Sequence, residues 1–333
     1  MKSRERERYN ITVLFCILNT FEDKNLCLFR LNKDECETCV GYKEGQISKE
    51  IYDINLSKKE GARAKKENKT NKKYVFTMDL QSVLLCPKSN VSSLYYKTKL
   101  AVHNITFFNL HTKEIKYYVW HESEDRLTPN EFSSIICDFI NCECLLQSED
   151  QLVTLYSDGC GYQNRNTVLS NALLNVAKLK NIKIGQKYLT KGHTQMEADS
   201  VYSQIERQVR TRSFNVPADY CDALKKARTK PKPYDVKYLN HSFFFNIEGT
   251  RKNIKSIRPG KRCGDPCVAD IVALQYQLDL INYKLRFTQE CKPLALICNI
   301  PSIQRVNLKD IPKLYSERLK ITKNKYNNLQ ELK

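Results

Sequence analysis

Apolar residues recur along this chain with two periods. From Tyr74 to Cys86, Thr98 to Leu110 and Ile115 to His121 they form near-continuous or alternating runs rich in β-branched and aromatic side chains, which predict three strands in meander. Helical spacing then appears at Asn130–Leu146, an apolar run at Leu152–Ser157, helical spacing at Thr167–Leu179, and a further run at Ile184–Thr190. A last helix is predicted from Ala198 to Arg212. Beyond it the chain turns basic and β-prone, with a strand expected at Tyr238–Phe245 and a turn at Pro231-Lys232-Pro233. Three strands followed by alternating helices and strands is the order of a ribonuclease-H-like core. The expected fold class is therefore α/β, a mixed sheet flanked by helices, with a basic β-containing C-terminal extension.

Boundaries follow from composition. The tract Ser57 to Lys73 carries eight Lys and Arg against two Glu and has no apolar face, so it is expected to be solvated and to separate residues 1–72 from a core at 73–212. Residues 213–333 form the extension. The whole chain has 55 Lys and Arg against 37 Asp and Glu, a formal charge of +18, which suits a polyanionic partner. Residues 207–262 alone hold 15 Lys and Arg against four Asp and Glu. Aromatics are interleaved there at Tyr220, Tyr234, Tyr238 and Phe243–Phe245, where rings could stack on bases while Lys225, Lys226, Arg228 and Lys230 meet phosphates. The same rings would equally serve a β-subdomain core.

No run of about eighteen apolar residues occurs, so no membrane partner is expected. The apolar stretch after the charged N-terminus is not read as a secretory signal, because Glu5 and Glu7 interrupt the charged segment and no small-residue cleavage site follows. Most of the 14 cysteines sit singly in apolar patterns, which fits a reducing compartment. Cys36 and Cys39 have the spacing of half a zinc site, a weak signal without two further ligands.

Three acids carry the candidate chemistry. Asp79 ends the run Phe76-Thr77-Met78, Asp158 ends the run Leu155-Tyr156-Ser157, and Glu206 falls in the last predicted helix. Two carboxylates at strand ends and a third on a helix can hold a pair of divalent ions, Mg²⁺ or Mn²⁺, for phosphodiester chemistry. Asp199 precedes Glu206 by two helical turns and shares its face, so it is the alternative third acid; it is also well placed as a helix cap. After Asp158 come Gly159-Cys160-Gly161-Tyr162 and then Gln163, Asn164, Arg165 and Asn166, four polar residues that could meet sugar and phosphate or could form a turn and cap for the helix at Thr167. His193 could position a water or a phosphate, or simply be a hydrogen-bonded structural residue.

The segments Phe76-Thr77-Met78-Asp79, Tyr118-Val119-Trp120-His121-Glu122, Ser157-Asp158-Gly159-Cys160-Gly161-Tyr162-Gln163-Asn164-Arg165-Asn166 and Gly192-His193 through Asp199-Ser200 to Ile205-Glu206 resemble transposon-derived proteins of insect and other animal genomes. These are similar to DDE transposases with a ribonuclease-H-like, integrase-type catalytic domain. The resemblance covers residues 73–212 and continues weakly beyond. It implies two-metal DNA cleavage and strand transfer with Asp79, Asp158 and Glu206 as ligands, DNA as partner and the nucleus as location; a homo-oligomer is left open. The N-terminal DNA-binding module usual in such proteins is expected to be absent, and Tyr202 stands where many relatives carry His. Two alternatives remain: a domesticated relic that binds nucleic acid without cutting it, and a 3′-exonuclease, which would want four clustered acids.

Overall fold

A computed structural model describes residues 37–53, 56, 74–89, 91–94, 96–143, 151–189, 196–250, 252–294, 307 and 310–332. Cys36, His193 and the basic tract 57–73 lie outside them. The central strands are β1 (Val75–Leu80), β2 (Leu84–Cys86), β3 (Leu100–Asn109), β4 (Ile115–His121), β5 (Leu152–Ser157) and β6 (Lys183–Tyr188). Helix α1 (Glu37–Lys43) precedes them; α2 (Pro129–Glu143), α3 (Thr167–Lys180) and α4 (Glu197–Arg210) follow in the expected alternation, and α5 (Ala218–Lys226) is a further helix where the chain past Arg212 was expected to be β-prone. Then come β7 (Asp235–Tyr238), β8 (Ala273–Gln277), β9 (Leu280–Lys284), β10 (Lys292–Pro293) and α6 (Lys323–Gln330).

All ten strands join one sheet, in the order β10-β9-β8-β6-β5-β1-β3-β4-β7, with β2 also on β3. β1 runs parallel to β5, and β5 to β6, while β1, β3 and β4 are successively antiparallel. The fold is therefore α/β, a mixed sheet flanked by helices. Helices cover both faces, which explains why β3 is buried at every residue from Val102 to Asn109 rather than at alternate ones. On one face Phe76, Met78, Ile105, Phe107 and Trp120 pack with α2 and α3; on the other Val102, Phe108, Tyr117 and Val119 pack with Val201, Ile205 and Val209 of α4 and Leu224 of α5. Phe107 stacks on Phe139 of α2 at 3.9 Å between ring centroids, and truncating such a buried ring costs about 3–5 kcal/mol.

Two strand expectations change. The single strand expected over Tyr74–Cys86 is divided into β1 and β2: Leu80 pairs with Ile105 and Gln81 N–H donates to Asn104 O at 3.1 Å, yet Leu84 pairs with Val102, so Ser82 and Val83 together oppose one residue. This is a β-bulge three residues past Asp79. The strand expected at Tyr238–Phe245 ends at Tyr238 instead, and His241–Phe243 forms a 3₁₀ turn. The fully buried carboxylate of Glu124 draws the chain off the sheet there, accepting from His241 N–H at 2.8 Å.

Residues 310–332 run over the outer end of β4. Arg318 Nε reaches Glu124 Oε1 at 2.7 Å, Leu319 N–H donates to Ser123 O at 2.8 Å, Lys325 Nζ meets both Glu122 oxygens at 2.6 and 2.7 Å, and the Tyr315 hydroxyl donates to Glu131.

Candidate functional site

β1 and β5 deliver the two strand-end acids to one place. Thr77 pairs with Tyr156 in the parallel register, and two residues further along each chain, past the last paired residues, stand Asp79 and Asp158. Pleating sends Phe76 and Met78 to the α2–α3 face, so Thr77 and Asp79 face α4. The Tyr202 hydroxyl on α4 donates to Asp79 O at 2.8 Å, pinning the helix across the strand end.

That contact decides which helix acid is near. Burial, the Asp158 carboxylate and the Asp199 carboxylate, in that order, push the Asp79 carboxyl up to about 7. Glu206 lies two turns further along α4, roughly 10 Å by helical rise, and is exposed. Asp158 and Asp199 thus lie near enough to act on the Asp79 carboxyl electrostatically, and Glu206 is not among the groups that move it. Asp199 is also the third residue of α4, where its Oδ2 accepts from Met196 N–H at 2.9 Å.

Among the described residues no three His, Cys, Asp or Glu side chains gather closely enough to hold a metal ion. Asp79 and Asp158, both half-buried, are hard oxygen donors of the type a divalent cation takes.

The turn after Asp158 turns most of its polar groups inward. Asn164 is buried and its Nδ2 donates to Asp158 Oδ1 at 2.8 Å, beside Cys160 N–H at 3.3 Å. Arg165 lays its guanidinium 4.4 Å over the Tyr188 ring and donates to Ala269 O at 2.8 Å; burial lowers its pKa. A Cβ at Gly159 would run into that guanidinium, which is why glycine suits the position. Asn166 caps α3, accepting from Leu169 N–H at 2.9 Å, the cap foreseen as its structural alternative. Gln163, half-buried like Arg165 and Asn166, donates to the Tyr162 hydroxyl at 2.9 Å.

In the basic extension Lys225, Lys226 and Lys230 are exposed, whereas Arg228 is committed: it sits 4.7 Å over the Tyr234 ring and donates to Lys232 O at 3.0 Å. The rings considered for base stacking largely belong to the interior. Tyr220, Tyr234 and Phe244 are buried, Phe214 stacks on Tyr220 at 4.2 Å, and Tyr238 keeps some exposure. Cys39 is half-buried on α1. Two functional roles escaped the sequence reasoning, that of Tyr202 and the bracing of Asp158 by Asn164; only the placement of Tyr202 between Asp199 and Glu206 on one helix face hinted at the first.

A scan against protein-family models and a search of curated proteins found no match to this chain.

Proposed function

We propose that this chain is a transposase-like, DDE-type enzyme that cleaves and joins DNA with divalent metal ions on a ribonuclease-H-like core. The observation that supports the reading is the half-buried Asp79 carboxyl at the end of β1, raised to about 7 first by burial and then by the neighbouring carboxylates of Asp158 and Asp199. The strand order β4-β3-β1-β5-β6, antiparallel then parallel about β1, supports the fold. Asp79 and Asp158 are the ligands, and Asp199 is favoured over Glu206 as the third.

Two bound Mg²⁺ or Mn²⁺ ions would supply activation of a water or 3′-hydroxyl and stabilisation of the leaving oxygen. Asp79 would hold the ion as a carboxylate, its proton released to solvent. Tyr202 fixes the backbone at Asp79, and Asn164 orients Asp158. Lys225, Lys226 and Lys230 supply phosphate contacts, and the cell compartment that fits a DNA substrate is the nucleus. The test is nicking and strand joining of DNA by purified protein with Mg²⁺ or Mn²⁺, lost in Asp158→Asn while DNA binding persists. One observation favours the second reading, a relic that binds DNA without cutting it: the Asp199 carboxylate is already engaged by Met196 N–H. Binding without cleavage at any metal concentration would establish that reading.

A further inference from the structure

The turn that carries Asn164 is anchored to strands far from it in sequence. Gln186 Nε2 of β6 donates to Asn164 O at 3.0 Å, and the Tyr188 hydroxyl reaches the same oxygen at 3.1 Å. Gln186 Oε1 in turn accepts from the Tyr276 hydroxyl of β8 at 2.6 Å, and Ser170 Oγ of α3 stands 3.0 Å from that hydroxyl. Asn164, Gln186, Tyr188, Tyr276 and Ser170 are each at most 4% exposed. A buried polar group costs stability unless it is bonded, and a half-satisfied network is worse than an apolar core. The hydrogen bonds from Gln186 and Tyr188 fix the backbone at Asn164, and its side-chain amide donates to Asp158 while its Oδ1 is buried without a hydrogen-bond partner.

We propose, on the basis of the catalytic reading above, that Asn164 is a positioning residue that sets the orientation of the Asp158 carboxylate, and that strand β8 of the C-terminal extension holds Asn164 in place through Tyr276 and Gln186. Asp158 stands beyond the last residue of β5, where no ladder fixes it; Ser157 Oγ donates to its main-chain oxygen, and Cys160 N–H and Asn164 Nδ2 donate to its carboxylate. The amide of Asn164 can aim at that carboxylate only if its own backbone is held, and two donors from β6 hold it. β8 pairs antiparallel with β6, Ile184 opposite Tyr276, which brings the Tyr276 hydroxyl to Gln186. Residues near 276 thereby become part of the machinery at residue 158.

The test uses the full chain with Mn²⁺ as probe. Asn164→Leu and Tyr276→Phe should each keep the thermal unfolding midpoint within a few degrees, yet weaken Mn²⁺ affinity, by about 10–100-fold for Asn164→Leu, the range for removing the support of a metal ligand, and severalfold for Tyr276→Phe. Asn164→Gln, which restores an amide, should recover part of the affinity. Without metal, the side-chain amide resonances of Asn164 should shift in Tyr276→Phe. Variants that fold and bind Mn²⁺ as the wild type does, with the Asn164 resonances unmoved, would overturn the proposal. If the wild type takes up no Mn²⁺ while those resonances do move, the positioning chain stands and the catalytic reading falls.

Discussion

The Tyr202 hydroxyl donates to the main-chain oxygen of Asp79 at 2.8 Å, across 123 residues of sequence. This hydrogen bond sets the position of α4 against β1, and with it the identity of the acid that faces Asp79. Burial and the neighbouring Asp79 hold the Tyr202 phenol well above its ordinary pKa, so it remains a donor throughout the physiological range.

Asp79 should make stability fall with rising pH. Its carboxyl titrates at about 7 in the folded chain against an ordinary 3.8, so the folded state holds the proton more tightly. The stability this confers is complete below pH 3.8 and is lost as pH rises to 7 and beyond. Asp79→Asn should therefore stabilise the metal-free protein by about 2–4 kcal/mol at pH 8, after discounting for solvent screening, and by almost nothing below pH 4. Chemical denaturation at the two pH values measures the difference; equal gains at both would contradict it.

Replacing the two helix acids separately should identify the third ligand. Asp199→Asn removes a carboxylate that raises Asp79, so the Asp79 midpoint, followed by carboxyl carbon resonance, should drop below 7; Glu206→Gln should leave it in place. Cleavage should be lost in the first variant and kept in the second. The opposite pattern would return the role to Glu206.

The lysines at the end of α5 should govern salt dependence. Lys225→Ala, Lys226→Ala and Lys230→Ala together should reduce the slope of log affinity for DNA against log salt by roughly 0.9 for each phosphate left without its lysine. Arg228→Ala should instead lower the thermal midpoint, because this guanidinium packs on Tyr234 and bonds Lys232 O. A triple variant with an unchanged slope would show that these lysines are only solvated.

Arg318→Ala should destabilise the fold by about 1–3 kcal/mol, the range for taking away the partner that offsets the burial of a polar group, since its guanidinium is the ion-pair partner of Glu124 Oε1. Glu124 is fully buried, and apart from Arg318 it is left with His121 and His241; burial lowers the pKa of the former, so it offers little charge near neutrality. Urea titration of the variant measures the change.

Much of the core was legible because both periods are clean between residues 74 and 188. Helix α3 begins at Thr167 as predicted, and β5 spans Leu152–Ser157 as predicted. What could not be read lies where tertiary partners decide. Nothing in Gln81-Ser82-Val83 signals a bulge, since no glycine marks it. The hairpin between β8 and β9 turns through Leu278 and Asp279, with Leu278 at φ 47°, a left-handed conformation that Asn or Gly would have announced and Leu conceals. Glu206 and Asp199 share a helix face, so the pattern alone could not rank them; position along the axis, fixed by Tyr202, does. Asn164, Arg165 and Asn166 looked like ligand-binding residues because polar side chains after glycines leave the same trace whether they meet a substrate or one another.

The sheet is finished from outside. β7 lies along the outer edge of β4, and β8 along that of β6, so residues beyond 234 close both flanks of what residues 75–188 begin. A ribosome that has released only the first 212 residues has produced each strand from β1 to β6 with two bare backbone edges, and bare edges recruit other chains. In the full chain the sheet ends instead in β7 and β10, edge strands of four and two residues that offer a shorter template. Cutting the chain at residue 212 to isolate a catalytic fragment would make that transient hazard permanent.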